Sequence, residues 1–411
     1  MNRPQDARGR ASEFTYRIAE RLAVPPSGLP SATSLDQGPW GVALLFAELG
    51  HVDSAYRSIA HDWLSAAGTE VFTQDDNGLY QGAPALAFSL TAAARPGDYS
   101  EALPRLDDFV VGRVHTLLRQ DQERRRSGRS GVRLKSYDLV SGATGLGLLL
   151  LRRRSSPTAL QALLSYLVEL TVPVRGPGGR PTPGWWTPDS PTPGLPTPYP
   201  LGHLNLGIAH GVSGVLALLA LAWAEGERVP GQTAAITRIT EWLLRWGPRA
   251  GDSPGAESWQ GWPGILSSES GRQGAPALPN RPTWCYGTAG TARAVQLAGV
   301  ALLRPDWEAA AVEGLTAVLH NPTLTGLVTE PSLCHGWAGV LQATWRVAGT
   351  SDDHRLQEQI PAIAEQVMDH LDPERMAGGL LEGLAGVALA LHTFATDTEP
   401  ASGWDRCLAL S

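Results

Sequence analysis

Apolar residues along this chain fall into two alternating kinds of run. One kind is apolar nearly all round and follows at once on a pair of small residues three positions apart. It reads DQGPWGVALLFAEL from Asp36, YQGAPALAFSL from Tyr80, VSGATGLGLLLL from Val140, AHGVSGVLALLAL from Ala209, CYGTAGTARAV from Cys285, CHGWAGVLQATW from Cys334 and LEGLAGVALAL from Leu381. The other kind, exemplified by 53–67 and 357–371, spaces its apolar residues on one face of a helix and leaves the opposite face polar. An all-round apolar helix is packed on both sides by neighbours, whereas a one-sided helix faces water. The alternation therefore predicts inner and outer helices.

The leading glycines are Gly38, Gly82, Gly142, Gly211, Gly287, Gly336 and Gly383. They recur at intervals of roughly 44 to 76 residues, the length of a helical hairpin with insertions mid-chain. Seven such units are enough to close a ring, and the predicted fold is all-α, an α/α toroid (double α-barrel) of seven helical hairpins. Glycine suits the rim because it permits positive φ and close backbone approach where helices crowd toward an axis. The second unit departs from the pattern with Pro84 and Ala85. This reading takes 1–411 as a single domain. A Pro/Gly-rich loop, 172–203, is inserted in it, and its 175–200 stretch cannot be helical and either bridges two units or touches a partner. The basic stretch 119–135, with Arg124, Arg125 and Arg126, reads as a solvated helix end.

Composition narrows the function classes. A chain that is 43% hydrophobic and 18% charged can bury a large core, and 14 Trp against 6 Phe suggest aromatic-walled cavities. A formal charge of -7 leaves no basic footprint for nucleic acid. The first residues, MNRPQDARGRASEF, lack an apolar h-region, and the longest apolar stretch, Val212 to Ala224, is short of the roughly 20 residues that span a bilayer. The expected location is cytoplasmic, with no membrane anchor of its own. Three cysteines are too few for a disulfide framework, which leaves metal binding or catalysis as their use.

Alignment of the units on the leading glycine places Gln37, Gln81, Ser141, His210, Tyr286, His335 and Glu382 in one slot. Asp36, Tyr80, Val140, Ala209, Cys285, Cys334 and Leu381 precede them. Equivalent positions in a closed ring converge on one mouth, so Cys285, Cys334 and His335 come together there. Cys and His are the preferred zinc ligands, and three of them leave a fourth tetrahedral position open for substrate. The alternative is two buried free cysteines and a hydrogen-bonded histidine. Two thiolates already neutralise Zn²⁺, so an incoming third thiolate stays deprotonated yet electron-rich, and the set favours thiol activation over hydrolysis. Cys407 falls after the last unit, near an expected frayed C-terminus, and is not counted as a ligand. His210 can shuttle a proton with Asp138 fixing its tautomer, or the two are a core histidine and a helix N-cap. Arg281 and Tyr286 flank Cys285 and either steady an oxyanion or are ordinary rim residues.

Through SLDQGPWGVALL, YDLVSG, GIAHGVSG, RPTWCYGTAG, SLCHGWAG and LLEGLAG, the chain resembles the lanthionine synthetase C family over nearly its whole length. The resemblance implies zinc at Cys285, Cys334 and His335, with His210, Asp138, Arg281 and Tyr286 as active-site neighbours. It implies a standalone class I lanthipeptide cyclase. In that reaction zinc binds a cysteine thiol of a dehydrated precursor peptide, and the thiolate adds to dehydroalanine or dehydrobutyrine to form a thioether ring. The implied partners are the precursor, a separate dehydratase and an exporter through which the chain would associate with the membrane. Other readings are a glutathione-adding or prenyltransferase-like zinc enzyme, which also alkylates thiols, and a zinc-containing peptide-binding scaffold.

Overall fold

The computed structural model describes residues 3–26, 34–66, 78–129, 131–191, 195–247, 261–268, 281–351 and 353–411. Each glycine motif opens a helix. The seven inner helices are α2 (Pro39–Val52), α4 (Gly82–Ala93), α7 (Ala143–Arg153), α9 (Val212–Ala224), α11 (Thr288–Leu302), α14 (Trp337–Ala348) and α17 (Leu384–Thr396). They are buried almost without interruption, as in Val212 to Ala222 of α9 and Leu384 to Phe394 of α17. One-sided helices follow: α3 (Tyr56–Ser65), α5 (Ala102–Arg126), α8 (Pro157–Leu170), α10 (Gln232–Leu244), α12 (Pro305–Leu319) and α16 (Ile360–Asp369). Single-turn helices α6 (Leu134–Tyr137), α13 (Pro322–Thr325) and α15 (His354–Gln357) punctuate the loops.

The chain divides into two compact units. The first comprises Met1–Arg113, Val328–Cys407 and Ser411, and the second Val114–Leu327 and Leu408–Leu410. Within the first, α2 packs on α3, α4 and α17, and α14 packs on α16 and α17. The outer partner of α17 comes from the other end of the chain: α1 (Arg3–Arg21) lies along it. Its buried stripe, Ala7, Ala11, Thr15 and Ile18, follows helical spacing. Within the second unit α9 packs on α7, α10 and α11, and α11 on α12.

The glycines serve close approach more than unusual φ. Gly38, Gly142, Gly211, Gly336 and Gly383 cap their helices at φ between -129° and -89°, open to any residue. What excludes a side chain is the loop folding back over the helix start. A Cβ on Gly383 would overlap the backbone of Gly379, and one three residues later, on Gly386, would overlap the Leu380 carbonyl oxygen. Gly82, at φ +59°, is an exception in the unit whose sequence also departs from the repeat.

Two sequence expectations need revision. Trp40, Trp185, Trp262, Trp284, Trp307 and Trp404 are fully buried and fill the core instead of walling a cavity. The C-terminal end is not frayed: Cys407, Leu408, Ala409 and Leu410 are inaccessible, and Asp405 forms a fork with Arg346 (2.7 and 3.0 Å). An apolar C-L-A-L ending with such an anchor has more to gain from burial than from fraying. The Pro/Gly-rich segment is tied down by short strands. β1 (Val174–Arg175) pairs antiparallel with β2 (Pro181–Thr182), and β3 (His203–Asn205) with β4 (Ile265–Ser267). Trp186, inside the segment, donates from Nε1 to Ser268 Oγ (2.7 Å) and the Leu201 carbonyl (3.1 Å). Residues 192–194 lie outside the described residues.

Candidate metal centre and its neighbours

Backbone hydrogen bonds fix the loops that precede the inner helices. In the first unit Leu35 N–H donates to the Tyr80 carbonyl (2.9 Å), Leu380 N–H to Asp36 (2.6 Å) and Cys334 N–H to Leu381 (2.9 Å). In the second, Leu139 N–H donates to Ala209 (3.0 Å) and Ala209 N–H to Cys285 (3.5 Å). Cys334–Leu381 and Ala209–Cys285 join residues of the same repeat slot, and the other three bonds join residues offset by one, so successive loops lie side by side within each unit.

The ligand atoms of Cys285, Cys334 and His335 all lie within 4.8 Å of one another. Cys285 is buried and Cys334 half-buried, and Cys334 Sγ stands 3.9 Å from His335 Nε2. Zinc–sulfur bonds of about 2.3 Å and zinc–nitrogen bonds of about 2.0 Å in a tetrahedron separate ligand atoms by roughly 3.5–3.8 Å. Two thiols and an imidazole at these separations fit a zinc ion with small side-chain adjustments. The third cysteine stays apart, with Cys407 Sγ donating to the Trp404 carbonyl (3.1 Å).

Beside Cys285 a second group assembles. His210 Nδ1 is 2.6 Å from Asp138 Oδ2, and since a carboxylate oxygen only accepts, the ring donates there from Nδ1. Asp138 is buried and does not cap α7. It ends α6, and its Oδ1 accepts the Ser141 N–H (2.7 Å). The His210 and Tyr286 rings lie 5.9 Å apart, and the Tyr286 hydroxyl accepts from Asn205 Nδ2 (3.3 Å). Arg281 is exposed and its carbonyl accepts the Thr288 N–H (3.3 Å). Among the described residues its guanidinium makes no hydrogen bond to the other site residues.

Residues 30–409 match the family described as lanthionine synthetase C-like protein. The chain belongs to that family. Membership bears out the reading of an enzyme of the lanthionine synthetase class. Among relatives of this lanthionine synthetase C-like chain, nisin biosynthesis protein NisC of Lactococcus lactis subsp. lactis is 23% identical over 379 residues, 88% of this chain and 85% of that protein. The solved structure of nisin cyclase superposes with a TM-score of 0.74 at 19% identity, covering 99% of this chain and 98% of that one. That likeness bears out the fold class, an all-α fold of the α/α toroid kind.

Three neighbours of the site escaped the sequence reading. Asn205 sits on β3, in a segment with no repeat signal. Glu382 and Asp36 occupy the same slots as His335 and Cys334, and that coincidence was the available signal. Glu382 Oε1 lies 3.8 Å from His335 Nδ1. Asp36 is pushed up to about 6 by burial first and then by the charge of Glu382, with His335 opposing. No helix among the described residues is long and apolar enough to cross a membrane.

Proposed function

We propose that this chain is a zinc-dependent lanthipeptide cyclase, with residues 1–411 acting as one catalytic domain. Its substrate is a dehydrated precursor peptide, whose cysteine sulfur forms a bond to the β-carbon of dehydroalanine or dehydrobutyrine while the α-carbon gains a proton. The observation that carries the reading is the cluster of Cys285, Cys334 and His335 in a chain of this family. Bound there, zinc would supply the Lewis acidity that keeps an incoming thiol deprotonated at neutral pH.

The remaining work falls to this chain's own side chains. Asp138 holds His210 Nδ1–H, which orients the ring and stabilises its protonated form, so His210 Nε2 can accept and return a proton beside the sulfur and the α-carbon. Tyr286 and Arg281 flank Cys285, where a hydroxyl and a guanidinium stabilise the negative charge that develops on the enolate oxygen. A separate dehydratase prepares the substrate, and an exporter is the expected link to the membrane.

The decisive experiment incubates the purified chain and zinc with a dehydrated precursor, then alkylates the remaining thiols and weighs the product. Ring formation protects each reacted thiol from alkylation. Thiols that all remain alkylatable, on a peptide that nonetheless binds, would leave a scaffold and not a cyclase. Replacing Cys334 by Ala should abolish both metal content and thiol protection.

A further inference from the structure

We propose that Glu382 is a positioning residue for the metal centre, accepting the Nδ1–H of His335 and thereby fixing the tautomer that turns Nε2 toward the two thiols. The inference rests on the zinc reading of the site. Its geometric basis is the pair of loops that open α14 and α17. The Cys334 N–H bonds the Leu381 carbonyl at 2.9 Å, which sets the two loops in register and brings the next residue of each, His335 and Glu382, alongside. His335 then has one nitrogen on each side of the question. Nε2 is 3.9 Å from Cys334 Sγ, and Nδ1 is 3.8 Å from Glu382 Oε1. A metal-binding imidazole is held by what its other nitrogen donates to, most often a carboxylate or carbonyl, and that partner raises the basicity of the ligating nitrogen. Glu382 is the carboxylate at ion-pair distance from that second nitrogen.

The surroundings favour this role over that of a solvated surface charge. Asp36 precedes Gln37, the residue equivalent to Glu382 in its repeat; its carbonyl accepts the Leu380 N–H (2.6 Å), and its buried Oδ1 has no hydrogen-bond partner. Two carboxylates and one imidazole thus share the rim of the centre, and a ring that donates to one of them relieves their mutual repulsion. Glu382 itself is half-exposed, so replacing it leaves no cavity in the core.

The test compares zinc affinity, by competition with a chromogenic chelator, for the wild-type protein, Glu382→Gln and Glu382→Ala. A partner that orients a ligand is worth about 10–100-fold in metal affinity. The expected order is wild type tightest, Gln intermediate because its amide oxygen still accepts, and Ala weakest. In the zinc-loaded protein the His335 Nδ1–H proton resonance, assigned by its absence in His335→Ala, should be slow to exchange in the wild type and lost in Glu382→Ala. Affinities within twofold of one another, with that resonance unchanged, overturn the role of Glu382 and leave the zinc centre standing. A wild-type chain that takes up no zinc overturns both.

Discussion

Asp138 spends its two oxygens on different partners, and this division makes it useful to His210. Oδ1 is held by the Ser141 N–H, so the carboxylate cannot rotate, and Oδ2 faces the imidazole. Asp138→Asn should keep the turn but present an amide N–H to Nδ1 and so select the wrong tautomer. Ring formation is expected to slow by about 10²–10⁴-fold with metal content unchanged, read by thiol protection and zinc analysis in parallel. His203 offers a test at a residue outside the chemistry. Burial holds it down at about 4, and neither ring nitrogen has a hydrogen-bond partner. The unfolded chain takes up a proton near pH 6.5 that the folded chain refuses, so stability is complete above 6.5 and falls as pH drops toward 4. The loss amounts to at most roughly 3 kcal/mol. Denaturant melts at pH 7 and pH 5 should show it, and His203→Leu should flatten the difference. Cys285, Cys334, His335 and His210 were legible because their chemistry is rare and their repeat slots matched. Asn205 was not, since an Asn on a short strand carries no periodic mark.

For the helices, the sequence was most informative where a steric rule repeats. Six of the seven inner helices start one residue after the leading glycine of a pair, where the loop that folds over the helix start leaves no room for a side chain, and α4, in the unit without a pair, starts on Gly82 itself. Gly386→Ala tests this rule against propensity. Alanine is the better helix former by about 1 kcal/mol. Its Cβ would nonetheless overlap the Leu380 carbonyl and crowd Leu333, so a net loss of roughly 1–3 kcal/mol is expected in denaturant melts. A gain in stability would mean that the loop yields cheaply. Helix α1 was not legible, having no glycine pair and a stripe of small residues among charges. Its partner α17 is too distant in sequence for local periodicity to announce. The strands β3 and β4 were hidden for a related reason: three residues each, they depend on pairing and not on pattern.

On the scale of the whole molecule, α1 and the C-terminal segment are both anchored, by interactions of unequal strength. Arg10–Glu365 and Arg21–Glu374 tie α1 to its surroundings through exposed pairs. Such pairs are worth about 0–1 kcal/mol each, so Arg10→Ala should scarcely move the melting temperature. Asp405 is different. Burial alone would raise its carboxyl, yet Arg346, Gln342 and Ser411 together hold it below the usual carboxylate range. Asp405→Ala removes the buried partner of the Arg346 guanidinium, which is 8% exposed, and leaves it the exposed Glu399 (3.3 Å). Breaking a buried pair by removing one partner costs about 3–5 kcal/mol, and with Glu399 still in place the low end is expected in denaturant melts of variant and wild type. The placement of α1 against α17 also has a consequence for synthesis. At about 5–20 residues per second on the ribosome, the first helix emerges tens of seconds before the roughly 360 later residues that lead to its partner have been made. Through that interval the stripe from Ala7 to Ile18 lacks the α17 surface, and the hairpin assembles from two segments translated far apart. A nascent chain arrested before residue 384 should therefore expose α1 to protease, whereas the released protein should protect it.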